Sequence, residues 1–263
     1  RLIQSLTNWR IQMKKTILAA TFVATILSVT AVQADHHGEP QYAALEGVFC
    51  NYKDGKGLKN VLSVADEMKE WASENMSIDY SAWVMTPFIS NSSDFPYDYF
   101  WLGMAKDHES LGTGHDEFIN KGESIQKKWD RVEACDGRNL MTGMVAHPYM
   151  PSSQESGPAF VQIQGCELSD GKTMADVIVA DKKWSTYMQS SKMPGGVLRW
   201  LPFAGDARDS TTDLYSVYVT ETLADRGKAH DMMMRGGGSV LQSTYGDVMT
   251  CDTPRIYHSM PVM

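Results

Sequence analysis

Apolar positions recur with two different periods along this 263-residue chain. Residues 159–166 alternate apolar side chains with glutamines, and a period of two predicts a β-strand with one buried face. Residues 58–75 instead place apolar side chains three and four positions apart, which predicts an amphipathic helix. Each half of the chain predicts the order strand, helix, strand, strand, helix, strand. The glycines at 236–238 are expected to break or bend the last helix.

The two halves share a motif and its register. Cysteine, three free residues and Asp-Gly-Lys occur first at Cys50 and again at Cys166. Cys135 and Cys251, each followed by aspartate, close the two copies. Matches that keep the same order with gaps of about one residue indicate an internal duplication. Because Gly tolerates positive φ and Asp accepts local hydrogen bonds, the Asp-Gly pairs predict turns after the first strands.

The N-terminal residues have the organisation of a secretory signal peptide. From Met13, two lysines precede the apolar segment 17–32, and small residues before Asp35 favour cleavage after Ala34. The apolar segment is shorter than the roughly 20 residues that span a bilayer. We interpret residues 1–34 as an upstream extension plus a bacterial-type signal peptide, with the native start at Met13. We therefore expect a periplasmic or secreted protein.

The duplication and the signal peptide set the expected domain boundaries. The first repeat occupies residues 41–147 and the second occupies residues 159–263. Between them, residues 148–158 are rich in proline and serine, a composition typical of a linker.

Charge and cysteine content narrow the class of protein. Removing residues 1–34 removes four basic residues and no acid, so the formal net charge moves from −8 to −12. A chain this acidic repels phosphate backbones and anionic lipid heads, so we expect neither nucleic acid nor, after signal cleavage, a membrane as partner.

Four cysteines in an exported chain predict a disulfide framework with three possible connectivities. The sequence has no Cys-x2-Cys pair, and we expect no metal site at the cysteines.

The predicted element order resembles that of the dimeric α/β-barrel superfamily, which includes antibiotic-biosynthesis-type monooxygenases and chlorite dismutase-like proteins. The resemblance implies an α+β fold in which two tandem ferredoxin-like (βαββαβ) repeats form a pseudo-dimeric α/β barrel. In a ferredoxin-like unit the first and last strands are antiparallel neighbours. The resemblance therefore implies disulfides between Cys50 and Cys135 and between Cys166 and Cys251.

Two histidines are the first candidates for catalysis. His115 and His230 each precede an aspartate early in the second helix of their repeat. Histidine serves as a general base or metal ligand near neutral pH. In chlorite dismutase-like proteins a helical histidine holds haem iron, so the resemblance makes haem a possible cofactor and His230 its ligand. A duplicated structural histidine would give the same pattern.

Alternation in the strands predicts where a pocket would lie. Phe100, Leu102 and Met104 form an apolar face that we expect to cover the helices. The opposite faces would enclose a ligand pocket between two sheets, because they combine aromatic rings with a few polar groups. The candidate ligand-binding residues are Tyr99, Trp101, Tyr218, Gln162 and Gln164, together with Trp83 and Arg199 on the second strands. Ordinary packing between the sheets is the alternative.

Glu46 is the one acid on this predicted face. Burial would raise the pKa of its carboxyl and make it a candidate base towards an acidic substrate proton. The second repeat has Gln162 at the matching position, so such chemistry would be confined to the first repeat.

Three functions follow from these features. The leading hypothesis is an exported protein that binds a small molecule between two sheets without catalysis and without a cofactor. The alternatives are a monooxygenase-like or haem-dependent oxidoreductase of the dimeric α/β-barrel type, and a structural or interaction protein with a filled barrel. The sequence has no glycine-rich phosphate loop or nucleophile elbow that would favour another enzyme class.

Overall fold

A computed structural model describes residues 42–150 and 157–263. The predicted signal peptide and cleavage site lie outside the described residues, as does most of the predicted linker. None of the helices in the described ranges combines the length and the hydrophobicity needed to cross a membrane.

The elements alternate strands and helices in both halves. The first half contains β1 (Tyr42–Tyr52), α1 (Leu58–Asn75), β2 (Tyr80–Ile89), β3 (Tyr99–Ala105), α2 (His108–Lys121), α3 (Glu123–Trp129) and β4 (Glu133–His147). The second half contains β5 (Ala159–Leu168), α4 (Met174–Ser191), β6 (Gly196–Ala204), β7 (Leu214–Thr220), α5 (Leu223–Met232), a π-helical turn (Met233–Gly237), α6 (Gly238–Tyr245), β8 (Met249–Cys251) and β9 (Arg255–Pro261).

Eight of these strands close into an antiparallel barrel in the order β7, β6, β4, β1, β3, β2, β9, β5, with β5 pairing back to β7. The short strand β8 adds to β5 outside this ring. The halves meet where β4 pairs with β6 and where β2 pairs with β9. Because every edge of the ring is paired, the predicted α+β class takes the form of a closed barrel.

The barrel interior is a packed apolar core. Phe100 and Leu102 of β3 contact apolar residues from β5, β7 and β9 there, and Met104 packs against the same cluster. Tyr99 and Trp101 point the other way and pack with residues of α1 and α3. The predicted facing of β3 is therefore wrong. The most apolar faces of the strands point into the barrel. The faces that also carry polar groups point outward and are covered by the helices.

Both predicted disulfides are confirmed. Cys50 bonds Cys135, and Cys166 bonds Cys251, each across a sequence separation of 85 residues. Each bridge joins two strands that are direct neighbours, because Cys50 is paired with Cys135 and Cys166 with Cys251 in the sheet. Disulfides form and persist in oxidising compartments, so these bridges indicate a location outside the reducing cytosol.

The second-half helix is interrupted as the triple glycine predicts. Gly236 has φ +117°, a backbone conformation that glycine tolerates far better than other residues, and the helix passes through a π-helical turn at this point. The corresponding first-half helix is divided at Gly122 into α2 and α3.

Candidate functional site

A cavity of about 480 Å³ lies between the sheet and the helices of the first half. We call it the first-half cavity. Small-molecule pockets typically have volumes of about 300–1,000 Å³, so this one is large enough for a ligand. The lining is mainly apolar and aromatic, with polar groups at a few points: Glu46, Val48, Cys50, Met68, Met76, Tyr80, Tyr99, Trp101, Leu111, Gly114, His115, Phe118, Ile119, Gln126, Trp129, Glu133, Cys135, Asp136, Gly137 and Arg138.

The position of this cavity corrects the prediction of a pocket between two sheets. Leu45 and Phe49 of β1 belong to the barrel core, so alternation directs Glu46 outward towards α2. Trp83 packs against the same core and lies away from the cavity. Tyr99 and Trp101, in contrast, do line the cavity. The strand face predicted to bind a ligand is thus the face that the helices cover. The other face belongs to the packed core inside the barrel.

A hydrogen-bonded cluster surrounds Glu46, which is 5% exposed. The Tyr80 hydroxyl donates to Glu46 Oε1 over 2.7 Å, and Trp101 Nε1 donates to the Tyr80 oxygen over 2.8 Å. His115 Nε2 lies 3.0 Å from Glu46 Oε2. Arg138 Nε lies 3.7 Å from the same oxygen. The carboxylate is therefore held from several sides inside a largely apolar cavity.

Burial and hydrogen bonding oppose each other at Glu46. Burial by itself would raise the pKa of this carboxyl, as the sequence predicts. The hydrogen bond and charge of His115, the charge of Arg138 and the Tyr80 hydrogen bond together outweigh burial, so the pKa of Glu46 lies below its ordinary value. The prediction of a raised pKa is wrong for this reason. Glu46 is an ionised carboxylate at neutral pH.

Local sequence explains how His115 reaches this carboxylate. Asp107 caps α2, its side chain accepting a hydrogen bond of 2.8 Å from the backbone nitrogen of Ser110. Gly114, next to His115, lies close to Met76 and Ile78, and an added Cβ would stand 2.8 Å from atoms of both. A small residue at this point lets α2 approach the sheet. The His115 side chain remains 28% exposed, so part of the ring is accessible to solvent.

This arrangement is suited to proton transfer. An ionised carboxylate only accepts hydrogen bonds, so His115 Nε2 carries the hydrogen in the contact with Glu46. In the neutral ring this leaves Nδ1 as the basic nitrogen. The carboxylate fixes the orientation and the tautomer of the imidazole ring, so Nδ1 is the nitrogen that can accept a proton.

Several lining residues are not predicted from the sequence. Tyr80 lies at the start of β2 and Arg138 lies within β4, so they are distant from Glu46 along the chain. Glu133 and Trp129 also line the first-half cavity. A comparison of the two halves could have identified Glu133. It stands two residues before Cys135, whereas the apolar Met249 stands two residues before Cys251.

The second half has a smaller cavity of about 270 Å³ between the sheet and the helices, the second-half cavity. Gln162, Gln164, Tyr218 and Arg199 line it. The two glutamines bond each other over 3.0 Å, and Arg226 Nε donates to Gln162 over 2.9 Å. These amide groups therefore already have hydrogen-bond partners within the protein.

Arg199 belongs to a buried network at the second-half cavity. Its Nη2 lies 2.6 Å from Asp181 Oδ1, and its Nη1 donates to the Ser216 hydroxyl over 2.5 Å. Tyr245 also bonds Asp181, over 2.6 Å. A guanidinium whose donors are occupied by neighbouring side chains acts in packing and charge pairing.

His230 does not lie in either cavity. It is exposed on α5, and the residue before it, Ala229, is the one that lines the second-half cavity. The structure thus separates the two matched histidines, since His115 reaches Glu46 and His230 faces away from the corresponding Gln162 region. His230 is not placed to act in a cavity-bound reaction.

Comparison with known proteins shows the fold. No family model matches the sequence, and no curated protein matches it. Among solved structures, an anthrone oxidase-like protein matches with a TM-score of 0.52 and 10% identity, covering 86% of this chain and 93% of that chain. A provisionally assigned monooxygenase from Lactobacillus acidophilus NCFM matches with a TM-score of 0.50 and 7% identity, covering 86% and 95%.

A provisionally assigned chlorite dismutase matches with a TM-score of 0.50 and 7% identity, covering 84% of this chain and 95% of that chain. Likeness at these identities shows the fold alone. The fold is that of the dimeric α/β-barrel proteins, so the resemblance expected from the element order is confirmed at the level of fold.

The resemblance to chlorite dismutase-like proteins implies haem as a possible cofactor, and the residues of the two cavities show how far they fit it. A histidine that holds haem iron needs one ring nitrogen open to the metal. His115 Nε2 is engaged by the Glu46 carboxylate, 3.0 Å away. Among the described residues, no histidine lines the second-half cavity. In the first-half cavity His115 keeps Nδ1 free, so it is the lining histidine that could hold haem iron. His230, the ligand that the resemblance implies, lies outside both cavities, so the residues do not fit a haem site at that position.

Proposed function

We propose that this protein is a monooxygenase-like oxidoreductase that takes a proton from a small aromatic substrate in the first-half cavity. The observation that carries the proposal is the contact of 3.0 Å between His115 and the buried, ionised Glu46 in a cavity with aromatic walls. Such a pair is a base placed where an apolar substrate would bind.

Each residue of the cluster has a role in this proposal. His115 is the base, and Glu46 orients its ring and stabilises the imidazolium that forms. Tyr80 holds the carboxylate in place, and Trp101 in turn holds the Tyr80 hydroxyl. Trp101 and Trp129 form part of the wall against which an aromatic substrate would stack.

The substrate class follows from the walls and the base. A ring system with an acidic hydroxyl or an enolisable carbonyl can bury its apolar surface and lose a proton to His115. Anthrone, an enolisable tricyclic ketone, is a probe of this class, and the structural likeness to an anthrone oxidase-like protein supports its choice. The deprotonated substrate reacts with dioxygen, the co-substrate. One oxygen atom replaces the two hydrogens of the methylene, and the other leaves with them as water.

The test measures dioxygen uptake and anthraquinone formation when purified protein is given anthrone. We expect His115→Gln and Glu46→Gln each to lower the enzymatic rate by about 100-fold or more, the range that loss of a positioned base produces. His230→Gln is the matched control because it changes the equivalent, exposed histidine, and it should retain the wild-type rate. Equal rates in wild type and His115→Gln would overturn the proposal.

Binding without reaction is the second candidate function. The mainly apolar and aromatic lining of the first-half cavity favours it, because such walls bind aromatic ligands whether or not chemistry follows. It is supported if anthrone quenches the tryptophan fluorescence of the protein while no dioxygen is consumed above the uncatalysed rate.

We also propose that the protein is exported after cleavage behind Ala34 and that residues 41–147 and 159–263 are tandem ferredoxin-like repeats. The matching element order and the equal separation of 85 residues in both disulfides support the duplication. The bridges also support export to an oxidising compartment. N-terminal sequencing of the native protein tests the processing, with Asp35 as the expected first residue.

A further inference from the structure

We infer that the end of the first-half cavity formed by Tyr99, Glu133 and the Cys50–Cys135 disulfide is a second polar subsite. The ligand would therefore carry polar groups at two opposite ends of an aromatic frame. This inference deepens the proposed function and rests on it for the choice of cavity. The subsite lies at the end of the cavity remote from His115. It requires a second polar group on the ligand, which the base alone does not require.

Two unpaired polar atoms mark this end. Tyr99 is fully buried, and within the described part of the chain its hydroxyl has no hydrogen-bond partner. Within the same ranges, Glu133 Oε2 is buried and also without a partner. Both residues line the first-half cavity. A carboxylate oxygen of Glu133 and the two sulfur atoms of the disulfide all lie within 4.8 Å of one another, so the carboxyl packs directly against the bridge.

The second half is an internal comparison for these positions. In the sheet, Cys50 is paired with Tyr99, whereas the equivalent Cys166 is paired with Leu214. Glu133 is paired with Tyr52 next to the first bridge, and Met249 holds the equivalent place next to the second. Leu214 and Met249 are both buried in the second-half core. The fold therefore accommodates apolar side chains at both positions.

Unpaired polar groups are costly in such a place. Each buried donor or acceptor without a partner costs about 1–3 kcal/mol, and the second half avoids that cost with leucine and methionine. Packing therefore does not account for Tyr99 and Glu133. A bound ligand that supplies the missing partners does, because the cost is then removed when the cavity is filled.

The two polar ends are separated along one strand. Glu46 and Cys50 are four residues apart in β1, and a strand rises by about 3.3 Å per residue, so their Cα atoms are roughly 13 Å apart. Trp101 of the neighbouring strand lies between Tyr99 and the Glu46 cluster. A rigid aromatic frame lying along β1 would present one polar group to His115 and Glu46 and a second to Tyr99 and Glu133.

A neutral hydroxyl is the group that suits the second subsite. A phenol both donates and accepts hydrogen bonds, as the Tyr99 hydroxyl also does. Burial raises the pKa of Glu133 to about 8, so at neutral pH its carboxyl is protonated and can donate as well. Because the Glu133 carboxyl is neutral, it does not call for a cationic group on the ligand. We assign the ligand to the class of elongated polycyclic phenols.

The test uses 2,6-dihydroxyanthraquinone and 2-hydroxyanthraquinone, which differ in one terminal hydroxyl. Both are already at the quinone oxidation level, so binding is measured without turnover, by calorimetry or quenching of tryptophan fluorescence. We expect wild type to bind the dihydroxy probe about tenfold more tightly, the ratio that one to two added hydrogen bonds provide. Tyr99→Phe and Glu133→Met should each reduce that preference to about twofold or less.

Thr220→Val is the matched control. The Thr220 hydroxyl is also buried and unpaired among the described residues, but Thr220 lies outside both cavities. This variant should keep the tenfold preference. Tyr99→Phe and Glu133→Met should melt no lower than wild type, which separates ligand recognition from a structural role. The inference is overturned if wild type shows no preference, or if the preference persists in both variants.

The outcome is distinguishable from failure of the proposed function. If anthrone is not oxidised but the dihydroxy preference depends on Tyr99 and Glu133, the proposed function fails and the subsite stands. If His115→Gln abolishes anthrone oxidation while Tyr99→Phe and Glu133→Met leave the preference intact, the proposed function stands and the subsite fails.

Discussion

Glu46 keeps its charge although it is 5% exposed. The hydrogen bonds from Tyr80 and His115 and the nearby Arg138 favour the ionised form by more than burial disfavours it. At the other end of the same cavity, Glu133 has no comparable set of donors, and burial raises its pKa to about 8. At neutral pH the Glu46 carboxyl is therefore ionised and the Glu133 carboxyl is neutral, because their hydrogen-bond partners differ.

Glu133 should make the stability of the protein depend on pH. The folded protein holds this proton up to about pH 8, whereas a carboxyl with the ordinary pKa of 4.5 releases it much earlier. The free energy of unfolding that Glu133 contributes therefore falls as the pH rises from 4.5 to 8 and is constant above that range. The substitution Glu133→Gln changes the free energy of unfolding at each pH, and this change should be about 1–3 kcal/mol more favourable at pH 8.5 than at pH 5.

Urea denaturation of wild type and variant at the two pH values measures this difference. Glu123→Gln is a suitable control, because its carboxyl is exposed on α3 and should change the free energy of unfolding little at either pH. An effect of Glu133→Gln that is the same at pH 5 and pH 8.5 would contradict the assigned pKa.

At the scale of elements, the contact between β1 and β3 determines how the site is built. Glu46 lies opposite Gly103, whereas Gln162 lies opposite Tyr218 in the second half. The absence of a side chain at Gly103 leaves room for Tyr80 to reach across β3 and bond Glu46. The second half fills that room with the Tyr218 ring. The two halves share their strand pairing but differ in the side chains that occupy the sheet face next to the helices.

Gly103→Ala should damage the site more than the fold. An added Cβ would collide with the Tyr80 hydroxyl and would stand 2.9 Å from Glu46 Cγ. Moving Tyr80 breaks its hydrogen bond to Glu46, so we expect anthrone oxidation to fall about tenfold or more. The free energy of unfolding should fall by about 1–3 kcal/mol, the usual cost of overpacking.

Oxygen uptake and urea denaturation measure the two effects. Gly112→Ala serves as the control, since nothing lies within 4 Å of its added Cβ on α2. That variant should keep full activity and gain up to about 1 kcal/mol of stability from helix propensity. Full activity in Gly103→Ala would show that Tyr80 does not position Glu46.

At the scale of the whole molecule, the halves depend on each other to close the barrel. β4 pairs with β6, and β9 pairs with β2, so each half completes the sheet of the other. The interior core likewise combines residues from both halves. The disulfides, in contrast, each lie within one half. They should therefore stabilise the two halves to a similar extent.

Removing either bridge should have the same effect on stability but different effects on binding. Each bridge separates its cysteines by 85 residues, and a loop of this length corresponds to about 4 kcal/mol in the chain-entropy account. Cys50→Ala with Cys135→Ala, and Cys166→Ala with Cys251→Ala, should each lower the free energy of unfolding by about that amount.

Only the first pair should also weaken binding of the dihydroxy probe, because Cys50 and Cys135 line the first-half cavity. Urea denaturation and calorimetry of the two double variants measure stability and affinity. Equal weakening of probe binding in both double variants would contradict the placement of the ligand next to the first bridge.

The sequence by itself determined the order of elements and, through the resemblance, the disulfide partners. It also singled out Glu46 and His115 as candidate residues. Local patterns carry this information, since periodicity, turn residues and repeated cysteines act over short stretches of chain. Alternation also separated the two faces of β3 correctly, with Tyr99 and Trp101 on one side and Phe100 and Leu102 on the other.

Only the tertiary structure decided which of those faces meets the helices and which side chains meet Glu46. Periodicity of two shows that a strand has two different faces but contains no information about what covers each one. Closure of the barrel places the most apolar faces inside, and this turns Glu46 towards α2, where His115, Tyr80 and Arg138 converge from separate elements. Such convergence depends on contacts between residues far apart in the chain, and these exist only once the ring of strands has closed.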